Sequence, residues 1–249
     1  MKEEIRLEDV SLFSVSGVNI EDTLFALWVS QRRIRFNNSV LITDKTFSRF
    51  PRWLTVITTE DYKFDSINKY NYFCVFELHK YVDTSFILLI QADGFVLRPK
   101  KWLNKFLQFD YIGAPWPIVE NSYIDPFGNR QRVGNGGFSL RSKKLLSVPL
   151  NHAVEWDTNN KNFNHFGYEL NSEDGIICVH NRKIYEDAGC IFAPISVAAE
   201  FATEHKLIES RRSFGFHKNI PSYYQRIRVI FLGILFRIVI KREFDFNED

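Results

Sequence analysis

The stretch FILLIQADGF, residues 86–95, decides the reading of this chain. Its first five residues form a continuous apolar run of the length expected for a strand buried on both faces, as in a parallel sheet covered by helices. Gln91, Ala92 and Asp93 follow directly, at the carboxyl end of that strand, where ligands gather on open α/β sheets. A carboxylate there can hold a divalent cation, because such ions combine one or two protein carboxylates with substrate phosphates and retained waters. Asp93-Gly94 is also a common turn dipeptide, so the run alone admits a plain turn as well.

Upstream, residues 12–15 have the composition of a strand, and Asn19 can cap a helix whose Leu24, Leu27, Trp28 and Gln31 share a face. Residues 40–43 and 54–57 are further strands. A helix follows in which Tyr70, Phe73, Cys74, Leu78 and Tyr81 recur at helical spacing. Downstream, Pro99 suits the first turn of a helix that turns Trp102, Leu103, Phe106 and Leu107 inward. Alternating elements of this kind predict an α/β fold with a mostly parallel central sheet flanked by helices. At 249 residues, 45% hydrophobic and 25% charged, the chain can bury one large core.

Several function classes lose support. Gly17 has no second and third glycine at dinucleotide-binding spacing, and no glycine-rich loop ends in Lys-Ser or Lys-Thr. The six histidines show no HExxH pattern, which disfavours a zinc hydrolase. A formal net charge of +2 gives no reason to expect nucleic acid as a partner. Cys74, Cys178 and Cys190 make no CxxC pair and sit in apolar stretches, as small buried thiols do. With an N-terminus lacking a basic-then-apolar leader pattern, this suggests a cytoplasmic protein.

Three further segments carry polar groups suited to chemistry. VGNGGFSLRS, residues 133–142, lets backbone approach a ligand closely and offers Asn135 and Ser139 as hydrogen-bonding groups, although Asn-Gly is also a hairpin turn. Asn171, Ser172, Glu173 and Asp174 precede an apolar helix. They read either as a cap with acids in the first turn or as an acid placed to act as general base. His217, in FGFH, is a packed histidine or a group for metal or phosphate. The tail, residues 223–249, contains IRVIFLGILFRIVI beside Arg226, Lys241 and Arg242. It is too short and too interrupted by arginine to span a bilayer. It is suited either to lying at a membrane surface or to packing on the domain or on a second copy.

Taken in order, LFSVSGVNIEDTLFAL, FCVFELHKYVDTSFILLIQADGF, FDYIGAPW, VGNGGFSLRS, SEDGIIC and FGFHK resemble a family of bacterial and viral GT-A-like glycosyltransferase domains long known as a domain of unknown function. The likeness runs from about residue 10 to about residue 217, with the tail outside it. The resemblance implies a Rossmann-like GT-A nucleotide-sugar fold and a donor of the UDP or GDP type. It also implies a glycan or lipid-linked glycan acceptor, in assembly of a cell-surface glycan. It places donor binding at Val15, Asn19, Asp44, Lys80, Gln91, Ala92 and Asp93. Trp116, Asn135, Gly136 and Gly137 would wall the sugar and acceptor pockets. By the same likeness Asp174 is the base, Glu173 a supporting acid, and Asp93 with His217 the holders of manganese or magnesium. Related enzymes often carry Asp-x-Asp where this chain has Gln91-Ala92-Asp93, which puts metal dependence in question. An oligomer is compatible with all of this, and the alternative is a nucleotide-sugar-binding or membrane-associated scaffold protein that turns nothing over.

Overall fold

Strands that are apolar at every position need cover on both faces, and the fold supplies it. The structure, a computed structural model, describes residues 4–118, 123–156, 172–205, 212–220, 223–240 and 245–246. In the first half, β1 (Ile5–Leu7) and β2 (Val10–Val15) lead to α1 (Ile20–Gln31), then β3 (Ile34–Phe36), β4 (Ser39–Thr43), β5 (Phe47–Arg49) and β6 (Thr55–Thr58). Next, α2 (Ile67–Tyr72) runs on through a π-turn (Phe73–Glu77) and a 3-10 turn (Leu78–Tyr81) into β7 (Phe86–Ile90) and β8 (Gly94–Val96). After two 3-10 turns come β9 (Tyr111–Ile112), β10 (Phe138–Ser142), α3 (Lys143–Asn151) and α4 (Glu173–Gly175), the last continued by a π-turn (Ile176–His180). The chain closes with α5 (Arg182–Asp187), α6 (Ile195–Phe201), β11 (Ala202–Thr203), β12 (Gly215–His217), α7 (Tyr223–Ile240) and β13 (Asp245–Phe246).

The central sheet has the order β6-β4-β2-β7-β10-β9. β6, β4, β2 and β7 are parallel, while β10 runs antiparallel to both β7 and β9. Successive residues alternate between two cores, one on each face. Val10 and Leu12, Leu41, Leu88 and Ile90 enter one; Phe13 and Val15, Val40 and Ile42, Ile87 and Leu89 enter the other. Phe138, fully buried in the first core among Phe201, Phe214 and Gly215, is the kind of position where truncation to alanine costs about 3–5 kcal/mol. The buried, unpaired state of Cys74, Cys178 and Cys190 agrees with the sequence.

The strand expected at 54–57 forms one residue later, at Thr55–Thr58. The helix expected after Pro99 does not form: Pro99–Lys101 and Asn104–Gln108 are separate 3-10 turns. Trp102 and Phe106 reach the core as expected, but Leu103 is exposed and Leu107 only half-buried, because two short turns cannot hold four side chains on one face. Asn171, Lys241 and Arg242 lie outside the described residues. Between β2 and β7 the order of connections reverses, since β4 and β6 extend from one side of β2 while β7 pairs on the other. Such a switch point leaves a crevice at the carboxyl ends of its two strands.

Candidate active site

The crevice is there. A cavity of about 490 Å³ opens over the ends of β2 and β7, within the range of small-molecule sites. Val15 to Asn19 line it after β2, and Gln91, Ala92 and Asp93 after β7; Asp22 and Thr23 of α1, residues 64–67 and Tyr70 complete it. Asn19 sits at the start of α1 in the left-handed region, φ 50°, and makes no side-chain cap. Asp44 lies one layer behind. Its Oδ2 accepts from the Phe64 N–H at 3.3 Å, and its buried Oδ1, with no hydrogen-bond partner among the described residues, faces Gly17.

Lys80 is not part of this place. It lies in the 3-10 turn that leads into the amino end of β7, opposite Gln91, and pairs with Glu77 in the exposed surface. The resemblance places it with the donor, but one strand length separates it from the crevice.

Four chain segments meet at Gln91 and Asp93. Gln91 N–H donates to the Gly137 carbonyl at 2.9 Å, tying the end of β7 to the glycine loop. The Gln91 amide donates through Nε2 to the Tyr70 hydroxyl at 2.9 Å and accepts through Oε1 from His217 Nε2 at 3.1 Å. The same His217 nitrogen is 3.1 Å from Asp93 Oδ1, and Nδ1 is 3.1 Å from Glu204 Oε1. Both ring nitrogens thus face acceptors. Burial alone would lower the His217 pKa, but the hydrogen bonds and charges of Asp93 and Glu204 outweigh it and raise it to about 9, so the ring is an imidazolium at neutral pH. Burial of Glu204 opposes its ionisation, yet His205, His217 and Lys218 hold its carboxyl well below the ordinary range. For Lys218, burial is likewise outweighed by the carboxylates of Glu204, Asp93 and Asp174, and its pKa is raised.

The glycine loop fits against this cluster with no room to spare. A Cβ on Gly137 would come within 2.1 Å of His217 Nε2, and one on Gly94 within 2.6 Å of the Gly137 carbonyl. Asn135, at φ 69°, and Gly136 turn their N–H groups onto Asp174 Oδ2 at 3.0 and 3.3 Å, while Asp174 Oδ1 accepts from the Gly175 N–H at 2.9 Å. Asp174 therefore anchors the loop, half-exposed, at the start of α4. Ser172 provides the start of α4 without a side-chain cap bond. Glu173 points the other way, into the protein. Its Oε1 accepts from Arg141 Nη2 at 3.0 Å beneath Gly136, and burial, then the charge of Asp174, raise its pKa against the pull of Arg141. Trp116 is buried too, stacked on Tyr123 at 4.2 Å and covering Gly134, so it supports the loop from below.

The structure brings Gln91, Asp93, Gly137 and His217 together, while Asp174, Asn135 and Gly136 do not line the cavity. Three members of the cluster carry no sequence signal. Arg141 sits in an ordinary strand pattern whose partner is 32 residues away, Glu204 arrives through the parallel pairing of β11 with β12, and Lys218 simply follows His217. Among the described residues no group of three or more His, Cys, Asp and Glu side chains is placed to hold a metal ion. What converges instead is one carboxylate, one amide oxygen and the protonated His217 ring, whose Nε2 faces both oxygens.

Residues 53–217 match the family described as a protein of unknown function, DUF5672. The chain belongs to the DUF5672 family. The match ends where the resemblance in sequence ended but begins at residue 53, so the β2 side of the cavity precedes it and the β7 side lies within it. No curated protein matches this DUF5672 chain by sequence. Among solved structures it is similar to the apo form of the glycosyltransferase GlyE of Streptococcus pneumoniae TIGR4, at a TM-score of 0.50 and 12% identity, over 98% of this chain and 66% of that one. A second structure of GlyE from that organism gives a TM-score of 0.46 at 12% identity, over 96% of this chain and 66% of that one. The chain thus spans just under two thirds of GlyE. The likeness shows a glycosyltransferase-like fold.

Proposed function

We propose that the protein is a glycosyltransferase that moves a sugar from a nucleotide-diphosphate sugar, of the UDP or GDP type, to a hydroxyl of a glycan or lipid-linked glycan in surface-glycan assembly. The observation that carries this reading is the cavity at the switch point that ends on Gln91 and Asp93, both held by the His217 ring behind them, on a fold of the glycosyltransferase kind. A nucleoside laid between β2 and α2 would direct its diphosphate toward His217 and Lys218. Charge fixed in place before the reaction stabilises a departing anion without reorganisation, which is where much of a transferase's rate enhancement originates.

Asp93 with His217 would hold a divalent cation, manganese or magnesium, whose charge against the leaving diphosphate would take the place of the His217 imidazolium's and add to that of Lys218. Gln91 in place of a carboxylate weakens such a site, and His217 must give up its Nε2 proton before that nitrogen can coordinate. Asp174 is given the role of base. It accepts the proton of the acceptor hydroxyl as that oxygen bonds to the anomeric carbon, while the bond from that carbon to the diphosphate breaks and its electrons leave with the diphosphate, inverting the carbon. A base so placed contributes about 10²–10⁴-fold. Glu173 acts through the loop it supports.

One observation favours a second reading, a nucleotide-sugar-binding protein without turnover: both oxygens of Asp174 already accept backbone N–H groups, the work of a structural anchor. Incubation with donor sugars and a glycan acceptor, following release of the nucleotide diphosphate, separates the two. The transferase reading expects turnover that Asp174→Asn abolishes while the donor still binds. Donor that binds the native protein but is neither hydrolysed nor transferred supports the binding protein instead.

A further inference from the structure

Helix α7 has two faces of similar apolarity, and only one is used. Leu232 and Phe236 are buried in the core, with Phe236 packed edge-on to Phe25 at 5.4 Å and beside Trp28 at 5.6 Å on α1. Ile227, Ile230, Phe231, Ile234 and Ile238 are each between 49% and 66% exposed. At about 100° per residue these five fall in an arc of about 100° on the side away from the core. A continuous stripe of five large apolar side chains marks an interaction surface, unlike the single exposed leucines normal on any protein.

The charges around the stripe indicate what covers it. Arg226 and Arg237, both exposed, border one edge, while Arg228 lies toward the core and donates to the Leu97 carbonyl at 3.2 Å, and α7 contains no acidic residue. Lys241 and Arg242 follow in the sequence before the first acid, Glu243. No described helix is long and apolar enough to cross a membrane. An apolar stripe bordered by exposed arginines on a helix without acids is the pattern of a helix lying in the plane of an anionic lipid surface, with side chains among the acyl chains and guanidinium groups at the phosphates.

The position of α7 gives the surface a use. Its last turn reaches the first turn of α1, where Arg237 lies 3.6 Å from Glu21, next to the cavity-lining Asp22 and two residues after Asn19. Val18, on the cavity rim, is 63% exposed as well. We infer that the exposed stripe of α7 seats the protein on anionic phospholipid and holds the mouth of the β2–β7 cavity beside the lipid surface. The inference rests on the helix itself and stands apart from the transferase reading.

The test is flotation of the full chain with vesicles of phosphatidylcholine alone and of phosphatidylcholine with about one third phosphatidylglycerol, at low and high salt. The expected result is capture by the mixed vesicles, weakened by salt, and a loss of about tenfold or more in the bound fraction for Phe231→Ser/Ile234→Ser. Both side chains are exposed, so the variant should melt with the wild protein, which circular dichroism checks. Absence of flotation, or flotation that the variant leaves unchanged, overturns the inference. So does a dimer in light scattering that the same variant dissociates, because a second copy would then cover the stripe.

Discussion

Replacing Gly136 by alanine places a methyl carbon 1.5 Å from Glu173 Oε1. Ordinary contact between heavy atoms needs about 3.5 Å, so the carboxylate must retreat by about 2 Å or the loop must rise. The first movement breaks the 3.0 Å hydrogen bond to Arg141 and leaves a guanidinium with no exposed surface unpaired. The second pulls the Asn135 and Gly136 N–H groups off Asp174. Breaking one side of a buried ion pair costs about 3–5 kcal/mol. At about 2–4 °C per kcal/mol for a chain of this size, the melting temperature should fall by about 6–20 °C. Differential scanning calorimetry measures it, with Gly233→Ala as control: nothing lies within 4 Å of a Cβ there, and the helix should gain about 0.5–1 kcal/mol. Combining Gly136→Ala with Glu173→Ala and Arg141→Met removes both charges together and should recover most of the loss. A Gly136→Ala protein as stable as the wild type would refute the placement of Glu173 under the loop.

Further expectations follow from the cluster. Measured in EDTA, the His217 ring should titrate near pH 9 by NMR, and Asp93→Asn should lower that midpoint. Because the folded pKa lies above the ordinary 6.5, the imidazolium pairs contribute stability in full below about pH 6.5 and lose it as pH rises through 9. The melting-temperature gap between the native protein and His217→Gln should shrink across that window, and a gap that widens would contradict the assignment. Lys80→Ala should leave nucleotide-sugar affinity within about twofold, since its partner is Glu77; a tenfold loss by calorimetry would restore it to the site.

The sheet was legible because its strands announce themselves twice, in apolar runs such as residues 86–90 and in the punctuation after them. The positions of Asp93 after β7 and of the glycine loop before β10 were legible for the same reason. The stretch after Pro99 was misread because two 3-10 turns and one helix share the same apolar count. Lys80 entered the donor set through the family resemblance, and only the fold shows that it lies at the opposite end of β7 from Gln91. Arg141, Glu204 and Lys218 had no local signal: a strand arginine becomes a buried ion pair, and a lone glutamate a histidine's partner, only through contacts far apart in the chain.

The measurement closest to the central claim is a thermal-shift screen of the native chain against UDP, GDP, CMP and dTDP sugars, each with manganese and with EDTA, beside Asp93→Ala. A ligand that binds only the folded state raises the melting temperature, by about 2.7 kcal/mol of stabilisation at a hundredfold excess over its Kd. The account predicts a shift with one nucleotide that is lost in Asp93→Ala, a variant that should itself stay folded because Asp93 is 53% exposed. No shift with any nucleotide sugar, in protein shown to be folded, would contradict it.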